Sequence, residues 1–374
     1  MRPVDPAVMR RAALPVLALA IPAVTIAAIL WAAGSTLGYD YLAYDAAARR
    51  VLAGQPLYDL SYAAAGSFGL YYYPPTFIPL VLMFAALLDA HAATLAWIST
   101  LLAAFGFGVA VLPVRASVRW AVLLLAGLSW PLLYALKLGQ VGPLLFLAGA
   151  LTWRWAERPA IAGTAIAAGA AIKVQPLLML GWALVTRRWR TLLAGLSLLG
   201  ILCALATSVA GPGSWSDFVT LLLRVSDPVG TPANLTVGAI AFRAGLPRDG
   251  AATLQVASIC LVALVTVWAW VHSPAGTAIV VTAVASQLVS PILWAHYAVI
   301  LLLPVALLLE RRQWWAVALP IVTWLPVDAI YPVVFAIGLL APLAVGEQMR
   351  RSSSVAPDEP SGRGPRSPVL SSRS

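Results

Sequence analysis

The chain has 374 residues, of which 61% are apolar and only 10% charged, against about 45–50% and about 25% in ordinary soluble domains. A mean hydropathy of +0.89 excludes a soluble globular enzyme, because a water-facing globule of this size has no interior for so much apolar side chain. The fold class is therefore an all-α polytopic membrane protein, and the net charge of +10, carried by arginines between apolar runs, marks cytoplasmic loops and implies no nucleic acid partner.

The first apolar run, residues 12–33, follows the basic Met1–Arg11 segment and is long enough to cross, so it reads as a retained span and not as a signal peptide. Further runs follow at 75–90, 93–112, 120–136, 141–153, 159–172, 174–186, 191–210, 251–271, 276–289, 292–309, 313–327 and 329–346. Several hold only about 14 residues, roughly 21 Å of helix, which predicts broken or half-length helices around a buried or wet site. Cys203 and Cys260 lie inside such runs and read as small hydrophobes.

Basic clusters stand at Arg10 and Arg11, Arg115 and Arg119, Arg154 and Arg158, Arg187 to Arg190, Arg311 and Arg312, and Arg350 and Arg351. If all are cytoplasmic, each consecutive pair is separated by an even number of crossings. Residues 75–90, opened by Pro74 and Pro75, are then the run that does not cross, and the chain between Arg158 and Arg187 folds back at Lys173, Gln175 and Pro176. About twelve passes result, with both termini in the cytoplasm. Residues 1–346 form the membrane domain, and residues 347–374, rich in Pro, Ser and Gly, form a disordered cytoplasmic tail.

This topology gathers the polar outliers at the outer face, together with the long segments 34–74 and 211–249 that would form a site. Asp40 precedes a helical stretch from Tyr41 to Leu52, and it reads either as that helix's N-cap or as a general base at the bilayer boundary. Tyr71-Tyr72-Tyr73-Pro74-Pro75 reads as an interfacial aromatic belt or as a stacking surface for a sugar or lipid. Lys173, an ammonium among Ala, Ile, Val and Leu, either snorkels or holds an anionic group such as a phosphate. Arg224 and Arg243 are further cations on that side. His296 interrupts an apolar stretch after Ser290-Pro291 and Trp294, and is either a satisfied structural imidazole or a site residue. His91 and His272 fall on the cytoplasmic side, and no Cys or carboxylate cluster completes a metal-ligand set, so no metal and no cofactor are expected. Asn234-Leu235-Thr236 fits the three-residue glycosylation pattern.

Taken in order, Asp40 with Tyr44, the Ala46-Ala47-x-Arg49 stretch through Gly54 to Tyr58, Tyr73-Pro74-Pro75, Gly139-Gln140, Lys173 with Pro176, Asn234 with Arg243, and Ser290-Pro291 with Trp294 and His296 resemble glycosyltransferase family 87. Relatives often carry two consecutive His after the Trp, where this chain has His296-Tyr297. The resemblance implies a GT-C-type fold and a hexosyltransferase similar to α-1,2-mannosyltransferases. It implies Asp40 as the catalytic base, with Tyr44, Tyr73, Gln140, Lys173, Asn234, Arg243, Trp294 and His296 binding substrate. The partners it implies are a polyprenyl-phosphate sugar donor, a glycolipid or glycan acceptor, and membrane lipid. The rival class is a lipid-linked-sugar flippase or small-molecule transporter, against which stands the near absence of polar groups in the cytoplasmic half.

Overall fold

The computed structural model describes residues 6–61, 69–225 and 227–354. The last helix, Ile330–Ser354, runs past the expected boundary at residue 346, and the rest of the predicted tail, 355–374, lies outside the described residues. Among the described residues the chain is helix, turn and loop, with no strand. Helices satisfy their own backbone polar groups, which hydrocarbon cannot do for them.

Five helices are long and apolar enough to cross a bilayer alone: Ala13–Thr36, Ala90–Val111, Trp189–Ala210, Arg248–His272 and Ile330–Glu347. The run expected at 120–136 is two helices, Ala116–Gly127 and Trp130–Leu138, bent by 63°, which count as a sixth span if taken together. Pro131 in the first turn of the second helix has no N–H to return to the first, so the ladder breaks there and the axis turns. Five shorter apolar helices, Pro75–Leu87, Pro159–Ile172, Gln175–Val185, Ala275–Leu288 and Ala295–Glu310, fall below crossing length. By length and composition five or six helices among the described residues reach crossing length, fewer than the twelve passes expected, and the chain is a multi-pass membrane protein. Residues 313–327, expected to span, form only a 3-10 turn, Trp314–Val317, and the five-residue helix Ala318–Val322.

The short helices make the core and the long ones the wall. Every residue from Thr277 to Gln287 is buried, and so is every residue from Leu302 to Leu309; helices enclosed on all sides are apolar all round, which is why neither shows a polar stripe. Outside them, Val16, Leu19, Val24 and Trp31 of the first helix and Leu193, Ile201 and Leu205 of Trp189–Ala210 remain exposed, as lipid-facing residues do. Small residues let helices touch: a Cβ on Gly195 would stand 2.7 Å from Leu180 and 3.1 Å from the Gly163 carbonyl, so Trp189–Ala210 and Pro159–Ile172 meet almost backbone to backbone.

Contacts between loops sort the two ends of the bundle. At one end Gly38 bonds to Lys137, Leu60 to Arg224, Leu128 to Trp324, Asn234 to Leu293 and Arg243 to Asp328. At the other, Arg115 pairs with Glu310, Arg188 with Glu157, and Arg311 bonds to Thr277 and Pro342. His91, expected among the basic loops, stands instead at the Asp40 end. Arg49 there donates to the Leu88 carbonyl at 3.0 Å, and Asp89 caps the helix that then runs from Ala90 toward Arg115.

Candidate active site

Three backbone devices bring the predicted residues together. The first is the start of the Tyr39–Leu52 helix, whose N-cap is Gly38 in the left-handed region at φ 71°, and not Asp40 as expected. Gly38 donates to the Lys137 carbonyl at 2.8 Å, and a Cβ on it would run into Thr94. Asp40 therefore sits inside the first turn with its carboxylate free of capping duty. The second device ends the Trp130–Leu138 helix: Gly139, at φ 74°, lets Gln140 donate its amide to the Ala135 carbonyl at 2.8 Å, the closed end of a Schellman motif. Trp97 donates to the Gly139 carbonyl at 2.7 Å and fixes that turn against the Tyr39–Leu52 helix. The third is the break at Lys173, which is extended between Pro159–Ile172 and the Gln175–Leu177 turn. Thr76 accepts the role of partner to the freed Ala171 carbonyl, donating to it at 2.7 Å, and so ties the Tyr-Pro-Pro segment to this break.

These devices close a chain of side-chain hydrogen bonds. Tyr44 donates to the Tyr73 hydroxyl at 2.8 Å, Tyr73 donates to Gln140 Oε1 at 2.8 Å, and Gln140 Nε2 donates to Asp40 Oδ2 at 2.5 Å. Burial holds both phenols protonated, far above the usual tyrosine value, so each remains a donor. Gln140 is thereby oriented: its oxygen is taken by a phenol, and its amide must face the carboxylate. Burial also raises the Asp40 carboxyl above the usual carboxylate value, while the Gln140 bond and the charge of Lys173 pull it back down.

Beside this chain lies a narrow cleft lined among others by Gln140, Lys173, Gln287, His296 and Tyr297. The Lys173 ammonium stands 3.3 Å from the centre of the Tyr297 ring and takes part in none of the ion pairs among the described residues. His296 Nε2 is buried without a hydrogen-bond partner. A second cavity, lined by Leu145, Ala148, Ile166, Met179 and Ala283, shares Leu145, Gln287 and Ile300 with the first and is almost wholly apolar. Among the described residues no group of three or more His, Cys, Asp or Glu side chains is assembled.

Asp40, Tyr44, Tyr73, Gln140, Lys173 and His296 are thus brought to one place, whereas three other predicted residues are employed elsewhere. Arg243 pairs with Asp328 at 2.8 Å and donates to the Asn234 carbonyl. Asn234 is fully buried and spends its whole amide on main chain: it donates to Pro228 and Pro291 and accepts from Thr236 and Leu293. It is a pin between two loops, closed to glycosylation. Trp294 begins the Ala295–Leu301 turn and does not line the cleft. Arg224 donates to the Leu60 carbonyl. Sequence reasoning missed Gln287 and gave Tyr297 no role; a lone amide in a helix of Ala, Val and Thr is the signal that was available for the first.

The model of glycosyltransferase family 87 matches residues 71–291, more than half of the chain and the stretch that supplies Tyr73, Gln140 and Lys173. The chain belongs to glycosyltransferase family 87. It is therefore a membrane glycosyltransferase, with a sugar donor and an acceptor as substrates. No curated protein and no solved structure matches it.

Proposed function

We propose that this family member transfers a hexose, mannose in the first instance, from a polyprenyl-phosphate sugar to a hydroxyl of a glycolipid or glycan on the extracytoplasmic side, within a GT-C-type architecture. The observation that carries this reading is a partly buried carboxylate, Asp40, tied through Gln140 to the wall of a cleft that is also lined by Lys173, an ammonium with no carboxylate partner among the described residues.

The acceptor oxygen attacks the anomeric carbon and forms the new glycosidic bond. The bond from that carbon to the phosphate oxygen breaks, its electron pair leaves with the polyprenyl phosphate, and the hydroxyl proton passes to Asp40. Phosphate is already a competent leaving group, so positioning and charge neutralisation carry most of the barrier lowering. Lys173 supplies the positive charge, His296 Nε2 hydrogen-bonds a phosphate or sugar oxygen, and Gln140 with Tyr73 and Tyr44 aims the base. Asn234 and Arg243 act on substrate through the loops that they hold, and Trp294 through its place next to the turn that carries His296.

The test is transfer in proteoliposomes of the full chain, with synthetic polyprenyl-phosphate mannose as donor and octyl α-mannopyranoside as acceptor. A product one hexose larger is expected. Transfer from a nucleotide sugar with the lipid donor inert overturns the donor assignment; uptake of substrate without any product favours the transporter.

A further inference from the structure

The Trp130–Leu138 helix places Trp130 and Tyr134 one turn apart on the same face. Their rings stack at 5.2 Å with 11° between planes. On one side Trp324 lies 5.3 Å from Trp130 at 53°, and on the other His296 lies 6.1 Å from Tyr134. Four rings therefore make a continuous row. Its outer member, Trp324, is half exposed, and its inner member, His296, lines the cleft with an unpartnered Nε2. The outer ring is held in place: Trp324 Nε1 donates at 2.6 Å to the Leu128 carbonyl, a group set free by the 63° break. Tyr134 is also within electrostatic reach of Asp40.

We propose that Trp324, Trp130 and Tyr134 form the acceptor subsite, a platform on which the terminal pyranose of a glycolipid or glycan stacks as it approaches Asp40. A pyranose has one face of C–H groups and a rim of hydroxyls. The slightly positive C–H hydrogens pack against the negative face of an aromatic ring, and the hydroxyls stay free to bond at the edge. A row of Trp, Tyr and His supplies both features, and it belongs to the end of the molecule where the hydrophilic Arg243–Asp328 pair stands. The row meets the cleft at His296, so a sugar stacked along it is led to the wall that Lys173 and Gln140 also line. An interfacial belt accounts for single aromatic residues that anchor to headgroups, but not for four rings in contact that end on an unpartnered imidazole. The role in transfer rests on the reaction proposed above; the stacking itself does not.

Saturation-transfer difference NMR on the full chain in nanodiscs, with octyl α-mannopyranoside and octyl β-glucopyranoside as probes, separates the two. The wild type is expected to give signals from pyranose C–H groups that weaken in Trp130→Ala and Tyr134→Ala and return in Trp130→Phe and Tyr134→Phe. In the transfer assay the alanine variants are expected to raise the acceptor KM about tenfold or more while the donor KM moves less than about twofold. No pyranose signal from either probe in the wild type, or signals and acceptor KM unchanged in both alanine variants, overturns the platform and leaves an aromatic belt. Loss in the phenylalanine variants equal to that in alanine also overturns it, because ring stacking survives that change. Stacking that follows the expected pattern in a wild type that transfers nothing supports the platform and overturns the reaction.

Discussion

At the scale of single residues the site turns on a carboxylate that burial works against. Because the folded state raises the Asp40 pKa above its unfolded value, the folded chain holds that proton more tightly, and the stability linked to this group is lost as pH rises through the folded pKa. Asp40→Asn removes a partly desolvated charge, so at neutral pH its thermal midpoint is expected to stay level or rise while turnover falls roughly 10²–10⁴-fold. Thermal melting beside the transfer assay checks both; a large loss of stability would mean a structural Asp40. The same shift puts the acid limb of kcat/KM above the ordinary carboxylate value of about 3.9, and a limb at or below that value would mean that another group is the base. Lys173→Ala is expected to raise the donor KM about 10- to 100-fold, the worth of one charged hydrogen bond, with Lys173→Arg recovering most of it. An unchanged donor KM in Lys173→Ala would remove the ammonium from the phosphate.

At the scale of elements the site is built from helix ends, where backbone groups are free and the chain changes direction. Gly139 is the clearest case: a side chain there meets Tyr41 Cβ at 2.7 Å and must adopt φ 74°. Gly139→Ala is expected to cost about 1–2 kcal/mol for the backbone alone and to turn Gln140 away from Asp40, so thermal midpoint and activity fall together. Asn234 does the same service for the break at Ser290-Pro291. In Asn234→Ala two buried N–H groups, of Thr236 and Leu293, lose their acceptor, at about 1–3 kcal/mol each. That variant should melt at a lower temperature and, where it stays folded, bind donor with nearly unchanged KM; a change in KM without loss of stability would make Asn234 a substrate ligand after all.

At the scale of the whole molecule the bundle has two chemically different ends. One gathers Asp40, Lys173, His296 and the aromatic row, and the other gathers Arg115, Glu310, Glu157 and Arg188. On the proposed reading the positive-inside rule puts the second end in the cytoplasm. With Cys203 and Cys260 replaced by Ala, a membrane-impermeant maleimide is expected to label Ser61→Cys on intact cells and Glu157→Cys only after permeabilisation. The reverse pattern would turn the site inward and overturn an extracytoplasmic acceptor.

The sequence by itself determined that the chain is helical and in lipid, because composition and apolar run length are local properties that the bilayer reads directly. It also determined which residues are out of place in that solvent: Asp40, Gln140, Lys173 and His296 each declare themselves as polar groups beside or within apolar runs. Only the tertiary structure decided how many runs reach crossing length, since the break at Leu128-Ser129 and the short helices of the core depend on what packs around them. It alone decided which cations are already satisfied: Arg243 looked as available as Lys173 until Asp328, 85 residues away in sequence, was found beside it. Partnership between distant side chains is a property of three-dimensional packing, and no local pattern in the chain encodes it.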